Sequence, residues 1–212
     1  MAQKSMKSHN SPKIWTFILL NIVLAYCFLH LKEVTLENAQ SFYSSLSGKD
    51  SFVILISPLI TLFLNNILSS GLKAKIVFWR IKNPLPGTRV FSKLINNDPR
   101  IDKDLLETKY GELPVKPTEQ NKLWYKILKN NEENISINNS HRTYLLLRDI
   151  TGISFFLLVL FIPFYLFFFL KDISALYFIT YLIFQYIGFS ICTHNVGNRF
   201  TLNVLAIDSL KP

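Results

Sequence analysis

The sequence predicts an all-α membrane protein built as two transmembrane helical hairpins with a small helical cytoplasmic subdomain between them. Three observations carry that prediction. Half of the 212 residues are hydrophobic and eighteen are Phe, a balance that favours a membrane class over one or two soluble domains. The net charge of +9 lies almost entirely outside a few apolar blocks, which is the segregation a polytopic chain needs. Lys and Arg also collect on alternate sides of those blocks, so the orientation can be read directly.

The first block, Ile14 to Leu31, holds no acidic, Lys or Arg residue; at about 1.5 Å per residue it just reaches across a hydrocarbon core of about 30 Å. A secretory leader would also begin with a basic stretch such as Lys4, Lys7 and Lys13. This block is long for a leader, however, and LKEVTLEN follows it instead of a small-residue cleavage site, so a retained anchor is expected. The second span covers Ser51 to Leu72 and carries Pro58, where neighbouring helices would accommodate a kink. The third, Ile150 to Leu170, and the fourth, Ile173 to Cys192, are separated only by Lys171 and Asp172, which predicts a tight helical hairpin.

Residues 1–13 then form a cytoplasmic tail, 14–72 the first hairpin, 73–149 the basic subdomain, 150–192 the second hairpin and 193–212 a second cytoplasmic tail. The loop from Lys32 to Asp50 has two Lys against Glu33, Glu37 and Asp50, whereas Lys73 to Asp149 carries fifteen Lys and Arg against nine acids. Positive segments resist translocation, so both termini and the middle segment are expected on the cytoplasmic side of a cell inner membrane.

Just after the second span, Lys73, Lys75, Arg80, Lys82 and Arg89 alternate with Ile76, Val77, Phe78, Trp79 and Ile81. Basic and aromatic residues mixed at a membrane exit predict an interfacial helix against anionic headgroups. No Gly-rich phosphate loop or nucleic-acid module accompanies these cations, and no direct nucleic-acid binding is expected. NPLPG interrupts the chain at Pro84 and Pro86. A short helix is expected from Asp102 to Tyr110, ended by Gly111. Another opens at Pro117 with Thr118 as N-cap and an apolar stripe of Leu123, Trp124, Ile127 and Leu128. NNEENISINNS reads as a polar break, and Ser140 as the cap of a stretch that runs into the third span.

No motif points to catalysis. His9, His30, His141 and His194 are scattered, no metal-ligand spacing occurs, and Cys27 and Cys192 read as small residues in apolar surroundings. No enzyme activity, cofactor or metal is expected. Polar residues inside the spans are better candidates: Asn21, Asn65, Asn66 and Gln185 must pair or line a path, and helix-to-helix hydrogen bonding is favoured. The spans are too few for a transporter with inverted repeats, so a pore would require a homo-oligomer, for which Gly188, Ser190, Ser69, Ser70 and Gly71 offer small surfaces.

QNKLWYKI from Gln120, SHRTYLLLRD from Ser140 and NVGNRFTLNVLAI from Asn195 resemble recurrent segments of small bacterial inner-membrane proteins. The layout is similar to four-span accessory and effector proteins of anti-phage defence loci. That resemblance implies a membrane component held silent by a cytosolic partner or ligand, which perturbs membrane integrity when triggered or else recruits a soluble partner. Arg142, Arg148, Asn195, Gly197 and Arg199 bracket the last two spans. In this reading Trp79, Arg80 and Arg89 seat the subdomain on the lipid bilayer, while Arg142, Arg148 and Arg199 pass its position to the third and fourth spans. A membrane scaffold that tethers a soluble enzyme, and a membrane-embedded lipid enzyme, are the competing classes.

Overall fold

Long apolar runs keep their backbone hydrogen bonds local and fold as helices, here even across Pro163 in the third run, and those helices extend well past the apolar runs themselves. The computed structural model describes residues 6–29, 66–168, 170 and 172–210, together with Leu59 and Phe63. Its α-helices are α1 (Met6–Leu29), α2 (Ser70–Phe78), α3 (Lys103–Tyr110), α4 (Pro117–Asn130), α5 (Ile135–Phe168) and α6 (Ile173–Ser209), with short 3-10 and π turns from Pro86 to Asn97. The described residues are all-α, without a sheet. Three helices are long and apolar enough to cross a membrane, within His9–Phe28, Ile135–Phe167 and Ile173–Ser209, and they mark a multi-pass membrane protein. Of the expected second span, Leu59, Phe63 and residues 66–72 are described, the last three of them opening α2; the rest, with Pro58 and Asn65, lies outside the described residues, as do the last two residues of the first span.

The chain divides into two units, residues 1–69 with 149–189 and residues 70–148 with 190–212. In unit 1, α5 and α6 pair as an antiparallel hairpin: Phe161 meets Phe178, Phe155 meets Tyr186, and the Thr151 hydroxyl donates to the Phe189 carbonyl. Partners step up one helix as they step down the other. Asp172 begins α6 as an N-cap, its carboxylate accepting from the Ser174 N–H at 2.9 Å. Helix α1 lies on α6 through Phe17 against Phe189 and Phe28 against Phe178. Ile18, Ile153 and Leu182 are buried, whereas Leu20, Val23, Leu160, Phe167 and Phe184 face outward. An outward apolar surface of this extent suits lipid and not water.

Unit 2 has an ordinary hydrophobic core of Val77, Phe78, Val90, Phe91, Leu106, Ile127, Ile137, Phe200, Val204 and Leu205. Three local expectations are corrected. Helix α4 is capped two residues earlier than expected, with Lys116 in place of Thr118 as N-cap and Pro117 at the first position, where a missing N–H costs nothing. Helix α5 starts at Ile135, because the Asn134 side chain accepts from the N–H groups of Ser136 and Ile137; Ser140 sits inside the helix and bonds back to the Ser136 carbonyl. Residues 193–209, read as a tail, continue α6 and supply Phe200, Val204 and Leu205 to the core. The short helix α3 has the expected ends: Asp102 accepts from Leu105 N–H, and Gly111 stops it at φ 77°.

Candidate functional site

The three segments that carry the resemblance meet in unit 2. QNKLWYKI lies on α4, SHRTYLLLRD on α5, in this unit up to Arg148, and NVGNRFTLNVLAI on the end of α6. Gly197 lets them approach: a Cβ there would stand 2.9 Å from Phe78 Cζ and 3.0 Å from Tyr144 Cε2. Phe200, two residues after Asn198, is enclosed by rings. His141 stacks on it at 4.9 Å and 6°, Tyr144 at 5.9 Å and 18°, and Trp124 stands edge-on at 5.6 Å. The Trp124 indole N–H also donates to the Thr201 carbonyl at 3.1 Å. Aromatic pairs of this kind hold geometry as well as area.

Beside this cluster lies a cavity of about 280 Å³, lined mainly by apolar surface and by Asn121, Trp124, His141, Tyr144 and Arg148. The NPLPG segment closes one wall. Pro86 and Gly87 are buried, and a Cβ on Gly87 would lie 2.6 Å from Asn121 Oδ1 and 3.1 Å from the Trp124 ring. Asn121 Oδ1 is buried there and receives no hydrogen bond among the described residues. The other face of the same helix pair carries an open groove of about 730 Å³ with Arg100, Asn139, Ser140, Thr143, Arg199 and Asn203 on its walls. Its hydroxyls are committed: Ser140 and Thr143 donate to the carbonyls four residues back, and the Asn203 amide donates to Ser136 Oγ and Ser140 Oγ. Asp98, the carboxylate on its wall, is gripped by Arg100 at 2.7 and 2.9 Å, which holds it below the usual carboxylate range. The groove therefore offers recognition by guanidinium and amide groups, without a nucleophile beside a base.

The basic residues singled out by sequence separate into distinct environments. Arg148 lines the cavity and Arg199 the groove; Arg142 is half-buried and lines neither. Asn195 is exposed. Arg89 is drawn inward: it reaches the Pro84 carbonyl and Asn198 Oδ1 at 3.4 and 3.5 Å and stands 5.7 Å over the Phe78 ring. Burial, then the neighbouring Arg80 charge, lower its pKa. It braces the NPLPG turn and remains half-buried. Within the expected interfacial helix Ile76, Val77 and Phe78 are core residues, while Lys75 and the stretch from Trp79 to Lys82 are exposed.

In unit 1 the structure brings Asn21 and Gln185 together. Gln185 Nε2 donates to Asn21 Oδ1 at 2.9 Å and to the Tyr181 hydroxyl at 2.7 Å, and Asn21 Nδ2 bonds back to the Phe17 carbonyl. Asn66 is exposed.

Two buried polar hubs escaped the sequence reading. Gln120, 1 % exposed, accepts from the N–H groups of Phe91 and Ser92 at 3.0 and 3.2 Å and donates to the Val115 carbonyl at 2.6 Å. It satisfies backbone that the irregular turns leave unpaired. Asp208 gathers Tyr110, Asn131 and Lys109. Nothing near Gln120 in the sequence marks it, because Phe91 and Ser92 lie 29 and 28 residues away. Among the described residues no three His, Cys, Asp or Glu side chains are placed to hold a metal ion. No family model matches the chain, and no curated protein or solved structure matches it.

Proposed function

We propose that the chain is a signal-responsive component of a bacterial inner membrane, with both termini cytoplasmic, in which unit 2 receives a cytosolic ligand or partner and the spans respond by perturbing membrane integrity. The resemblance to anti-phage effectors sets the biological role of this reading. The observation that supports the coupling is that the walls of the cavity are built on α5 and α6, the same two helices whose further lengths are candidate spans. A ligand that favours one spacing of α5 and α6 at His141, Arg148 and Phe200 shifts the population of the pair as a whole, because a packed helix pair has few alternative arrangements. The Lys and Arg excess of residues 73–149 supports the cytosolic placement of unit 2. Perturbation of the membrane by so few spans requires several copies of the chain.

Membrane potential followed with a voltage-sensitive dye tests this. Cells expressing the chain with its neighbouring genes depolarise under phage challenge, and Ser70→Phe, which fills the cavity rim from an exposed position, or Arg148→Ala, suppresses the response while the protein still inserts. A potential unchanged throughout overturns the effector reading and favours the scaffold, with the groove at Arg100 and Arg199 as the place to look for a captured partner.

A further inference from the structure

Residues Trp79 to Lys82 leave unit 2 as a short spur between two left-handed positions. Trp79 has φ 51° and Asn83 φ 49°, a region that side chains bearing a Cβ rarely enter and that marks a backbone held for a purpose. Trp79 ends α2 after Phe78. Beyond Asn83 the chain is caught again, since Thr88 Oγ1 reaches the Asn83 and Leu85 carbonyls at 3.0 and 2.6 Å.

The base of the spur is fixed to α6. Ser190 Oγ donates to the Val77 carbonyl at 2.8 Å, and Phe78 meets the His194 ring edge-on at 5.1 Å. Residues 190–194 are where the uncharged apolar run of α6 gives way to polar sequence. Trp79 therefore stands at the level where a spanning helix passes from hydrocarbon to headgroups, the depth that Trp favours. Trp79 is 56 % exposed and Ile81 is 83 % exposed. Arg80 and Lys82 are exposed beside them, and neither forms an ion pair among the described residues.

Exposed apolar tips flanked by exposed cations match one surface, a bilayer bearing acidic headgroups. We infer that Trp79–Lys82 is a lipid-binding spur that inserts Trp79 and Ile81 at the headgroup boundary and holds lipid phosphates with Arg80 and Lys82. This deepens the membrane reading and rests on it.

Spin labels on the full chain, in nanodiscs of phosphatidylglycerol and phosphatidylcholine, test the inference. Labels are placed at Ile81→Cys, at Leu20→Cys on the outer face of α1 and at Val115→Cys on the exposed side of unit 2, each in a Cys27→Ser, Cys192→Ser background. Collisions with oxygen report lipid and collisions with a water-soluble nickel chelate report solvent. The expected result is that labels 20 and 81 meet oxygen, that label 115 meets nickel, and that Arg80→Glu with Lys82→Glu returns label 81 to nickel while label 20 is unmoved. Label 81 open to nickel in the unaltered chain, with label 20 in lipid, overturns the spur and leaves the membrane reading intact. Label 20 open to nickel overturns the membrane reading itself. Label 81 shielded from both reagents identifies a protein partner at the spur and also overturns lipid binding.

Discussion

The Tyr110 hydroxyl donates a 2.8 Å hydrogen bond to the Asp208 carboxylate, joining the end of α3 to the last turn of α6 across 98 positions of sequence. Asp208 is 2 % exposed and is also met by Asn131 Nδ2 at 2.7 Å and Lys109 Nζ at 3.6 Å. A buried carboxylate is tolerated because its oxygens are bonded on both sides. Removing it by Asp208→Ala leaves Asn131 and Tyr110 facing an empty site, so unit 2 loses about 2–5 kcal/mol. Thermal unfolding of the purified chain in detergent measures that loss; an unchanged midpoint would show that the end of α6 does not hold the unit together.

The same contact gives a pH dependence with a defined sign. Burial first, then the hydrogen bond and charge of Asp208, raise the Tyr110 pKa above the ordinary tyrosine value. Folded Tyr110 therefore keeps its proton where the unfolded side chain has lost it. The stabilisation is complete below about pH 10 and falls as pH rises from there towards the folded pKa. Thermal midpoints of the native chain should drop more steeply between pH 10 and more alkaline values than those of Tyr110→Phe; identical slopes would remove Tyr110 as the cause.

Gly197 tests the packing of the aromatic cluster. Gly197→Ala pushes a methyl group into Phe78 and Tyr144, both buried, and overpacking of this kind costs about 1–3 kcal/mol. Better helix propensity returns up to about 1 kcal/mol. The net change is destabilising, and Gly197→Val is worse. Gly188→Ala, whose Cβ meets nothing within 4 Å, receives the propensity gain alone and raises the midpoint.

Asn21 and Gln185 give a prediction inside the apolar unit. A double-mutant cycle with Asn21→Ala and Gln185→Ala should return a coupling of about 0.6–2 kcal/mol, typical of interhelical polar pairs in membranes. Each single change leaves a polar group without its partner, so the double variant is more stable than the sum of the two singles implies. Additive losses, measured by unfolding in mixed micelles, would mean that α1 and α6 do not share this bond.

Local chemistry explains which parts of this fold were legible. The hairpin of α5 and α6 followed from two apolar runs divided by Lys171 and Asp172, and α3 from Asp102 and Gly111, since the signals and the structure they produce are adjacent. The stripe of Leu123, Trp124, Ile127 and Leu128 likewise packs on the unit 2 core. Asn134 was passed over because it sits in a run of equally good caps, and only its geometry selects it over Ser140. Asp208 and Gln120 look like ordinary surface residues in sequence; their burial is set by partners dozens of positions away. Arg89 was read as one cation of a mixed basic and aromatic run, and its place over Phe78, beside the Pro84 carbonyl, has no local signal. The convergence of the three quoted segments on Phe200 has no local signal.

Unit 2 must face the cytosol if it is to receive a cytosolic signal, and cysteine labelling in intact cells decides this directly. With Cys27 and Cys192 replaced by Ser, Asp172→Cys marks the turn between α5 and α6, and Lys116→Cys marks an exposed position of unit 2. A membrane-impermeant maleimide should label position 172 in intact cells and position 116 only after the inner membrane is opened. Labelling of position 116 in intact cells, with position 172 protected, would invert the topology and contradict a cytosolic receptor.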